Sequence, residues 1–525
     1  MMRSTDHQFS ALLGRMIGRW ALVAFGVIGL VFILLTTGGI DHLTVAAQGP
    51  YQWSPDQRVF GYLDDTYTPY IIADQNRTVH AFASQWVGEE DRQLAIVYSQ
   101  WTLEGGWTAP VDIMLSPTGE AQVQGAFLDQ AGTMHLIFWG GDAFRGSGIY
   151  YSSALVVNAG QAPAWSAPRL VGERAGIGSA ALTGDNHGNL VVIYSGNMEG
   201  NGVYAVGSSD AGDSWSEPTT IFLTYDPELL PYSLDLYMGP SGRAHAVWNV
   251  VTSLGVDVSV HYARLDIETG QWSEPIVLEE RTIDDEDFFG PSFPSISGNG
   301  DNVVVMYNSG NPAEGGYVPR GRPVQRSRLS SDGGLTWQNP VTPFPRHVGR
   351  SGEHALAADS EGVVHTVFIQ RIEIDVNGDY GIIGGIWHSE LRDGRWSEPD
   401  RFATTYSPHD VRAVVDQGNV LLVVWREDPG AGQHGTWYSY ATLDTPELPE
   451  MPVPSPSATP VPTTPTATPP EPAATPSHLP PSISQEDVPE AALGNPAIPL
   501  VVGIVPVVLL IAGIIVVHQF NYSRR

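Results

Sequence analysis

The sequence contains no cysteine and no lysine. Without cysteine, neither a disulfide nor a thiolate metal site can form. All 26 basic residues are arginine, against 57 acidic ones, and the net charge is −31. So acidic a chain lacks the basic footprint that nucleic-acid binding needs. The charge favours solubility and attraction of cations, and most of it reads as a solvated face. Long apolar runs are missing from the middle of the chain and are confined to its two ends.

Residues 21–35 are one such run, preceded by Arg3, Arg15 and Arg19. They read as a secretion signal or as an uncleaved anchor. Val45-Ala46-Ala47 supplies a small-residue cleavage site. Residues 498–517 carry no charge, and twenty residues cross ~30 Å of hydrocarbon at ~1.5 Å each. Arg524 and Arg525 follow. The positive-inside rule leaves that tail in the cytoplasm and the middle of the chain outside the cell membrane. Residues 445–496 are rich in Pro, Thr and Ser. They favour extended polyproline II, a semi-rigid spacer reaching on the order of 150 Å. The organisation expected is therefore 1–47 signal peptide or N-terminal anchor, 48–444 extracellular repeat domain, 445–496 stalk, 497–519 transmembrane helix and 520–525 basic cytoplasmic tail.

The repeat ends in Trp-Ser-x-Pro or a near copy, at Trp53, Trp107, Trp165, Trp215, Trp272, Trp337 and Trp396. The copies are 50 to 65 residues apart. Short alternating strands at that period indicate a β-propeller. In one unit, strands are expected around residues 124–128, 134–139, 149–152 and 165–171, the proline marking an outer, edge-like strand. The last unit has strands near Val411, Val420 and Trp437 but no Trp-x-x-Pro after them. The orphan strand at Trp53 fits that vacant edge and closes the ring. The fold class is all-β, a seven-bladed propeller closed by an N-terminal outer strand, with six blades as the fallback. His80, His135, His245 and His365 recur at one position of the second strand, in separate blades. They cannot converge on one metal and read as packed structural residues.

Two units carry a stricter pattern, Ser-x-Asp-x-Gly-x-x-Trp: Ser208, Asp210, Gly212 and Trp215, then Ser330, Asp332, Gly334 and Trp337. Asp at a tight hairpin bonds nearby amides, and Gly permits positive φ. The pattern resembles the Asp-box of the sialidase-like, or BNR-repeat, propellers. That resemblance implies a structural motif between third and fourth strands, on the face away from the ligand. It also implies a Phe/Tyr-Arg-Ile-Pro motif and an arginine triad, with a Tyr–Glu pair and an Asp acid. Here the corresponding stretch reads Tyr67-Thr68-Pro69-Tyr70-Ile71-Ile72, without arginine.

The strand order puts the ligand site where the inter-blade loops and the second-to-third-strand loops meet. Candidate ligand-binding residues there are Arg320, Arg322, Arg346, Arg350, Arg371 and Arg426, whose planar forks suit carboxylate or phosphate. The competing reading pairs them with acids such as Glu353, Glu427 and Asp428. Acids also cluster at 282–287, but carboxylate pairs are too common here to identify a catalytic one. Asp375, Asn377 and Asp379 alternate like the start of a calcium loop, making Ca²⁺ the candidate ion. The glycine falls one place late, and a solvated Asn-Gly turn competes. No cofactor is required.

These observations point to a membrane-anchored extracellular propeller that binds carbohydrate or another surface ligand, without standard sialidase catalysis. An exo-acting glycoside hydrolase of sialidase type is the alternative. A scaffold whose partner is a surface protein is the third.

Overall fold

The computed structural model describes residues 50–88, 92–142, 146–281, 290–310, 323–345, 347, 353–370, 373–374, 380–381, 384–405, 408–427 and 434–451. The signal or anchor segment, most of the stalk, the transmembrane helix and the tail expected above lie outside them. Among the described residues no helix is long and apolar enough to cross a membrane.

Among the described residues seven antiparallel sheets of three to five strands follow one another along the chain, and a two-stranded ladder, Glu373–Ile374 with Tyr380–Gly381, adds to them. The inner strands of the seven sheets are Tyr70–Ala73, Glu120–Leu128, Ala175–Gly184, Leu229–Gly239, Ser292–Asn299, His354–Ala358 and Pro408–Asp416, here called blades 1 to 7. Blade 2 shows the pattern, with Glu120–Leu128, Thr133–Asp142, Gly146–Leu155 and Arg169–Glu173 in order from inside to outside. In blade 7 the order is Pro408–Asp416, Val420–Glu427, Gly435–Thr442 and then Gln57–Arg58 from the start of the chain. Trp53 bridges Ala441 beside it. The orphan strand thus fills the vacant outer edge, and the seven-bladed expectation holds over the six-bladed one.

The Trp-Ser-x-Pro repeat has a simple mechanical cause. Its Ser or Thr makes two bonds to a single residue of the third strand. Ser166 donates its N–H to the Ser153 carbonyl at 2.9 Å, and its Oγ accepts the Ser153 N–H at 3.0 Å. Ser216 does the same with Gly207, Ser273 with Arg264, Ser397 with Glu390, Thr108 with Gln100 and Ser54 with Tyr440. Gln338 keeps only the backbone half, to Leu329. The clamp starts the outer strand in register wherever the chain turns back. The tryptophans fill the seams between blades; Trp165 of blade 2 stands edge-on to Phe82 of blade 1 at 5.7 Å.

The recurrent histidines are buried, as expected of packed residues. Each sits six residues after a position at the first hairpin. Asp74, Asp129 and Asp359 occupy that position, and each holds its carboxylate 3.3 Å from Nε2 of His80, His135 or His365. The other ring nitrogen bonds Tyr98, Tyr151 or His388. These chains tie a hairpin to the second and third strands of its blade.

The two stricter hairpins follow the third strands of blades 3 and 5, the first leading into the outer strand Thr219–Leu223 and the second into the Ser327–Val341 bridge. Ser208 Oγ accepts the Gly212 N–H at 2.9 Å and donates to Asp210 Oδ1 at 2.8 Å. Asp210 then accepts from the N–H and hydroxyl of Ser214. Ser330, Asp332, Gly334 and Thr336 repeat every bond. Hydrogen bonds from Thr336 hold the Asp332 carboxyl down at about 2.

Candidate functional site: the mouth of the central channel

In an antiparallel blade the inner strand starts on the face of the inter-blade loops, and the outer hairpin turns on the opposite face. The inner strands of all seven blades line a cavity of about 490 Å³, chiefly through the first half of each strand. The cavity therefore lies toward the face opposite the Ser-x-Asp-x-Gly hairpins.

Its wall is built by repeated bulges. The inner-strand register slips at Val123/Gly125, Tyr232/Asp235, Ser292/Ser295 and His409/Arg412. At three of these slips a residue with a side chain takes positive φ: Ser233 at 47°, Phe293 at 49° and Asp410 at 51°. A bulge turns side chains and frees backbone N–H groups, and such strained positions concentrate at binding sites.

The freed groups are taken by the neighbouring blade. Ser84 Oγ accepts the Val123 N–H at 2.9 Å, Gln124 Oε1 the Ala180 N–H at 3.2 Å, and Asp235 Oδ2 the Ile296 N–H at 2.9 Å. Glu353 accepts the Asp410 N–H. These bonds stitch four of the seven blade boundaries at the mouth and preorganise it there.

Two groups in this wall stand out. Asp235 faces the lumen, where water reaches part of it, while protein encloses it on all other sides. Burial pushes its carboxyl up to about 6, against two backbone N–H bonds and the Arg412 charge that pull it down. Arg412 of blade 7 lies over the Tyr70 ring, 5.1 Å from its centroid. Tyr67, Tyr70, Tyr232 and Phe293 give the mouth its aromatic faces, with Glu353 and Asp410 among them. Burial and the Asp410 and Glu353 charges raise the Tyr232 hydroxyl above its ordinary value.

Of the six arginines expected to bind ligand, Arg426 falls within the described residues. It lies 5.3 Å over the Tyr67 ring, on the second strand of blade 7, and its Nε has no hydrogen-bond partner among the described residues. It backs the mouth through Tyr67 rather than lining it. Arg320, Arg322, Arg346, Arg350 and Arg371 lie outside the described residues, as do Asp375, Asn377 and Asp379 of the calcium-like loop. Among the described residues no group of three or more His, Asp or Glu is placed to hold a metal.

The sequence reading missed Asp235 and Arg412. Both sit singly in strongly apolar inner strands, Leu234 to Met238 and Val411 to Val415. A lone charge at a core position was the available signal.

No family model matches the chain, and no curated protein matches it. Solved structures are similar to it at low identity. An ulvan lyase of polysaccharide lyase family 25 is 11% identical with a TM-score of 0.47, over 73% of this chain and 95% of that one. A protein of unknown function from Dyadobacter fermentans is 14% identical with a TM-score of 0.42, over 74% and 98%. A leech intramolecular trans-sialidase is 12% identical with a TM-score of 0.37, over 71% and 67%.

Proposed function

We propose that the channel mouth binds a carbohydrate. The observation that carries this is the mouth itself. Aromatic faces from blades 4 and 5 and from the start of blade 1 surround a few convergent polar groups, Asp235, Glu353, Asp410 and Arg412. Rigid aromatic faces with sparse, fixed hydrogen-bonding groups suit a ring that is apolar on its faces and polar at its edge. The stitched bulges hold that arrangement in place before a ligand arrives.

In this reading the propeller is a sialidase-like head on a Pro-rich stalk, held outside the cell by the C-terminal apolar segment. The chain's path leaves the mouth clear of both described ends. Trp53 pairs at the hairpin end of blade 7, so the described chain enters on the face opposite the mouth. It leaves there too, with Leu448 bonded to Gln417 and Met451 to Gln75, both at first hairpins. Both described ends of the chain therefore lie on the face opposite the mouth.

A second reading, an exo-acting glycoside hydrolase, is favoured by Asp235. A carboxyl held near 6 is still partly protonated near neutral pH, as a general acid requires. A glycan array and a fluorogenic glycoside panel, run on the full-length protein, separate the readings. Glycan binding that Arg412→Ala weakens, with no turnover, supports the binding head. Turnover that Asp235→Asn abolishes sinks it in favour of the hydrolase. Silence in both assays rejects both and leaves the protein scaffold. The charge at Asp235 adds a pH signature. As pH falls from 7.5 to 5 this carboxylate takes up a proton and the mouth grows less negative. Acidic glycans should bind more tightly at pH 5, and Asp235→Asn should flatten that dependence.

A further inference from the structure

Tyr225 is the most exposed aromatic ring among the described residues, at 92%, and its backbone has a φ of 55°. A bulky residue rarely takes positive φ, so the position is strained. The connection from blade 3 to blade 4 nevertheless fixes it there. Thr224 donates its N–H to the Asn201 carbonyl at 2.9 Å, and its hydroxyl to the Asp226 carbonyl at 2.8 Å. Asp226 Oδ1 accepts the Glu228 N–H at 2.9 Å, and Asn201 Nδ2 reaches the Pro227 carbonyl at 3.0 Å. Glu228 in turn takes both the N–H and the hydroxyl of Ser253 at 2.7 Å. That last pair binds the Tyr225 turn to the next loop, where Leu254 is 90% exposed.

The turn stands on the mouth face, at the head of the Leu229–Gly239 inner strand. Side chains alternate along a strand, so Leu230 shares the face of Tyr232. Both are exposed, and Tyr232 lines the channel. Tyr232 lies three steps along the strand from Leu229, a rise of ~10 Å. Exposed apolar side chains thus run in a track from Tyr232 and Leu230 at the channel to the rim turns that carry Tyr225 and Leu254, with Val251 paired to Leu230 and Val256 exposed in the loop of Leu254. The polar residues Asp226, Glu228 and Thr252 stand among them in the chain.

We propose that this track is a second contact zone for the ligand of the channel, and that the ligand is an oligosaccharide or polysaccharide chain longer than a single sugar. This rests on the carbohydrate reading of the mouth. The track continues from Tyr232 in the channel wall, so its occupant is an extension of the channel's ligand, which favours a linear polymer. A protein partner needs a broad face of about 800 Å². A displayed ring on a rigid turn contributes stacking at little entropic cost.

Size ladders of neutral and of uronate-bearing oligosaccharides, one to six residues long, test this by titration against the full-length protein. The wild type should bind longer members more tightly. Tyr225→Ala should weaken binding of the longest members about tenfold, the equivalent of one stacked ring, and leave the monosaccharides unchanged. Tyr225→Phe should keep the ring and the affinity. Tyr225→Gly gives a readout independent of folding damage. It relieves the positive φ, so the melting temperature should hold or rise while long-chain binding falls. Length dependence untouched by Tyr225→Ala or Tyr225→Gly overturns the track and leaves the channel reading intact. No ladder binding at any length overturns both. Concentration-dependent self-association that Tyr225→Ala abolishes, without a glycan effect, assigns the rim to a protein contact and overturns the proposal.

Discussion

The hydroxyl of Tyr151 occupies the place where a β-carbon on Gly212 would lie, 2.0 Å away, so the third strand of blade 2 is keyed into the outer hairpin of blade 3. Tyr262 and Gly334 repeat the relationship between blades 4 and 5, at 1.8 Å. The Tyr151 hydroxyl is also placed to donate to the Ala211 carbonyl at 3.3 Å. The glycine of the stricter motif is thus needed twice: its φ is 90° at Gly212 and 77° at Gly334, and a tyrosine fills the space beside it. Gly242 supplies the control, with a φ of 71° and nothing within 4 Å of its would-be β-carbon. Gly242→Ala should cost about 1 kcal/mol of backbone strain. Gly212→Ala and Gly334→Ala should cost a further 1–3 kcal/mol or so from overpacking. Urea unfolding measures both, and equal costs for the three variants would refute the keying.

The aspartate–histidine spacing of six residues leaves one half unmatched in blade 7. Asp416 holds the hairpin position, but Leu422 stands where a histidine would. Asp416 is buried, and its Oδ1 has no hydrogen-bond partner among the described residues. Burial, with the Asp74 charge, pushes its carboxyl up to about 6. A folded-state value above the unfolded one means that the folded chain holds the proton more tightly. The stability it contributes is complete below about pH 4 and is lost as pH rises through 6. Asp416→Asn, which cannot ionise, should therefore raise stability on the order of 1–2 kcal/mol at pH 7.5 and change little at pH 4. Thermal melts across that range check the crossing, and a gain confined to acid pH would contradict it.

Blade 4 carries the opposite half. His245 is buried, but Gly239 stands six residues before it where an aspartate would. Burial and the Arg264 and Arg243 charges push its ring down to about 4. The unfolded chain then binds the proton first, so stability present above pH 6.5 is lost as pH falls toward 4. A β-carbon on Gly239 would lie 3.4 Å from His245 Nε2, in ordinary contact range. Gly239→Asp should supply the missing carboxylate and raise the His245 value, which histidine NMR titration reads directly. It should also lessen the loss of stability between pH 6.5 and 4. A titration that does not move would mean that the spacing alone does not make the pair.

How much of this was legible before the fold was known depends on how local each signal is. The ring closure could be read from Trp53 because the clamp made by Ser54 uses two adjacent positions and repeats in every blade but one. The histidines were visible as a repeat, yet their aspartates were not, since Asp74, Asp129 and Asp359 look like ordinary turn residues. The mouth was least legible. Asp235 meets Ile296, Gln124 meets Ala180 and Glu353 meets Asp410 only across blade boundaries, at separations of 56 to 61 residues. The bulges that aim these side chains leave no composition of their own. Of the arginines expected from the late part of the chain, Arg426 lies on a strand beside Tyr67, whereas Arg412, which lines the mouth, carries no loop signal.

Closure of the ring gives the last prediction. Trp53 stacks on Phe402 of blade 6, with centroids 3.7 Å apart and planes 9° apart, and meets His388 edge-on at 5.5 Å. Two residues earlier, the Tyr51 hydroxyl donates to Glu390 at 2.8 Å. The N-terminal segment therefore both completes blade 7 and grips blade 6. Without it, Gly435–Thr442 becomes an open edge strand, ready to pair with another chain. Trp53→Ala should cost about 2–4 kcal/mol, somewhat below a fully buried tryptophan because its ring is only partly covered. Removing residues 50–58 should do more than destabilise. It should make the protein self-associate, and sedimentation should show this at concentrations where the intact chain stays monodisperse. Because the seam lies on the opposite side of the blades from Tyr232 and Asp235, Trp53→Ala should lower the melting temperature while ligand affinity at the mouth stays unchanged in the surviving folded fraction. A truncated chain that melts and sediments like the intact one would show that the strand decorates the ring without closing it.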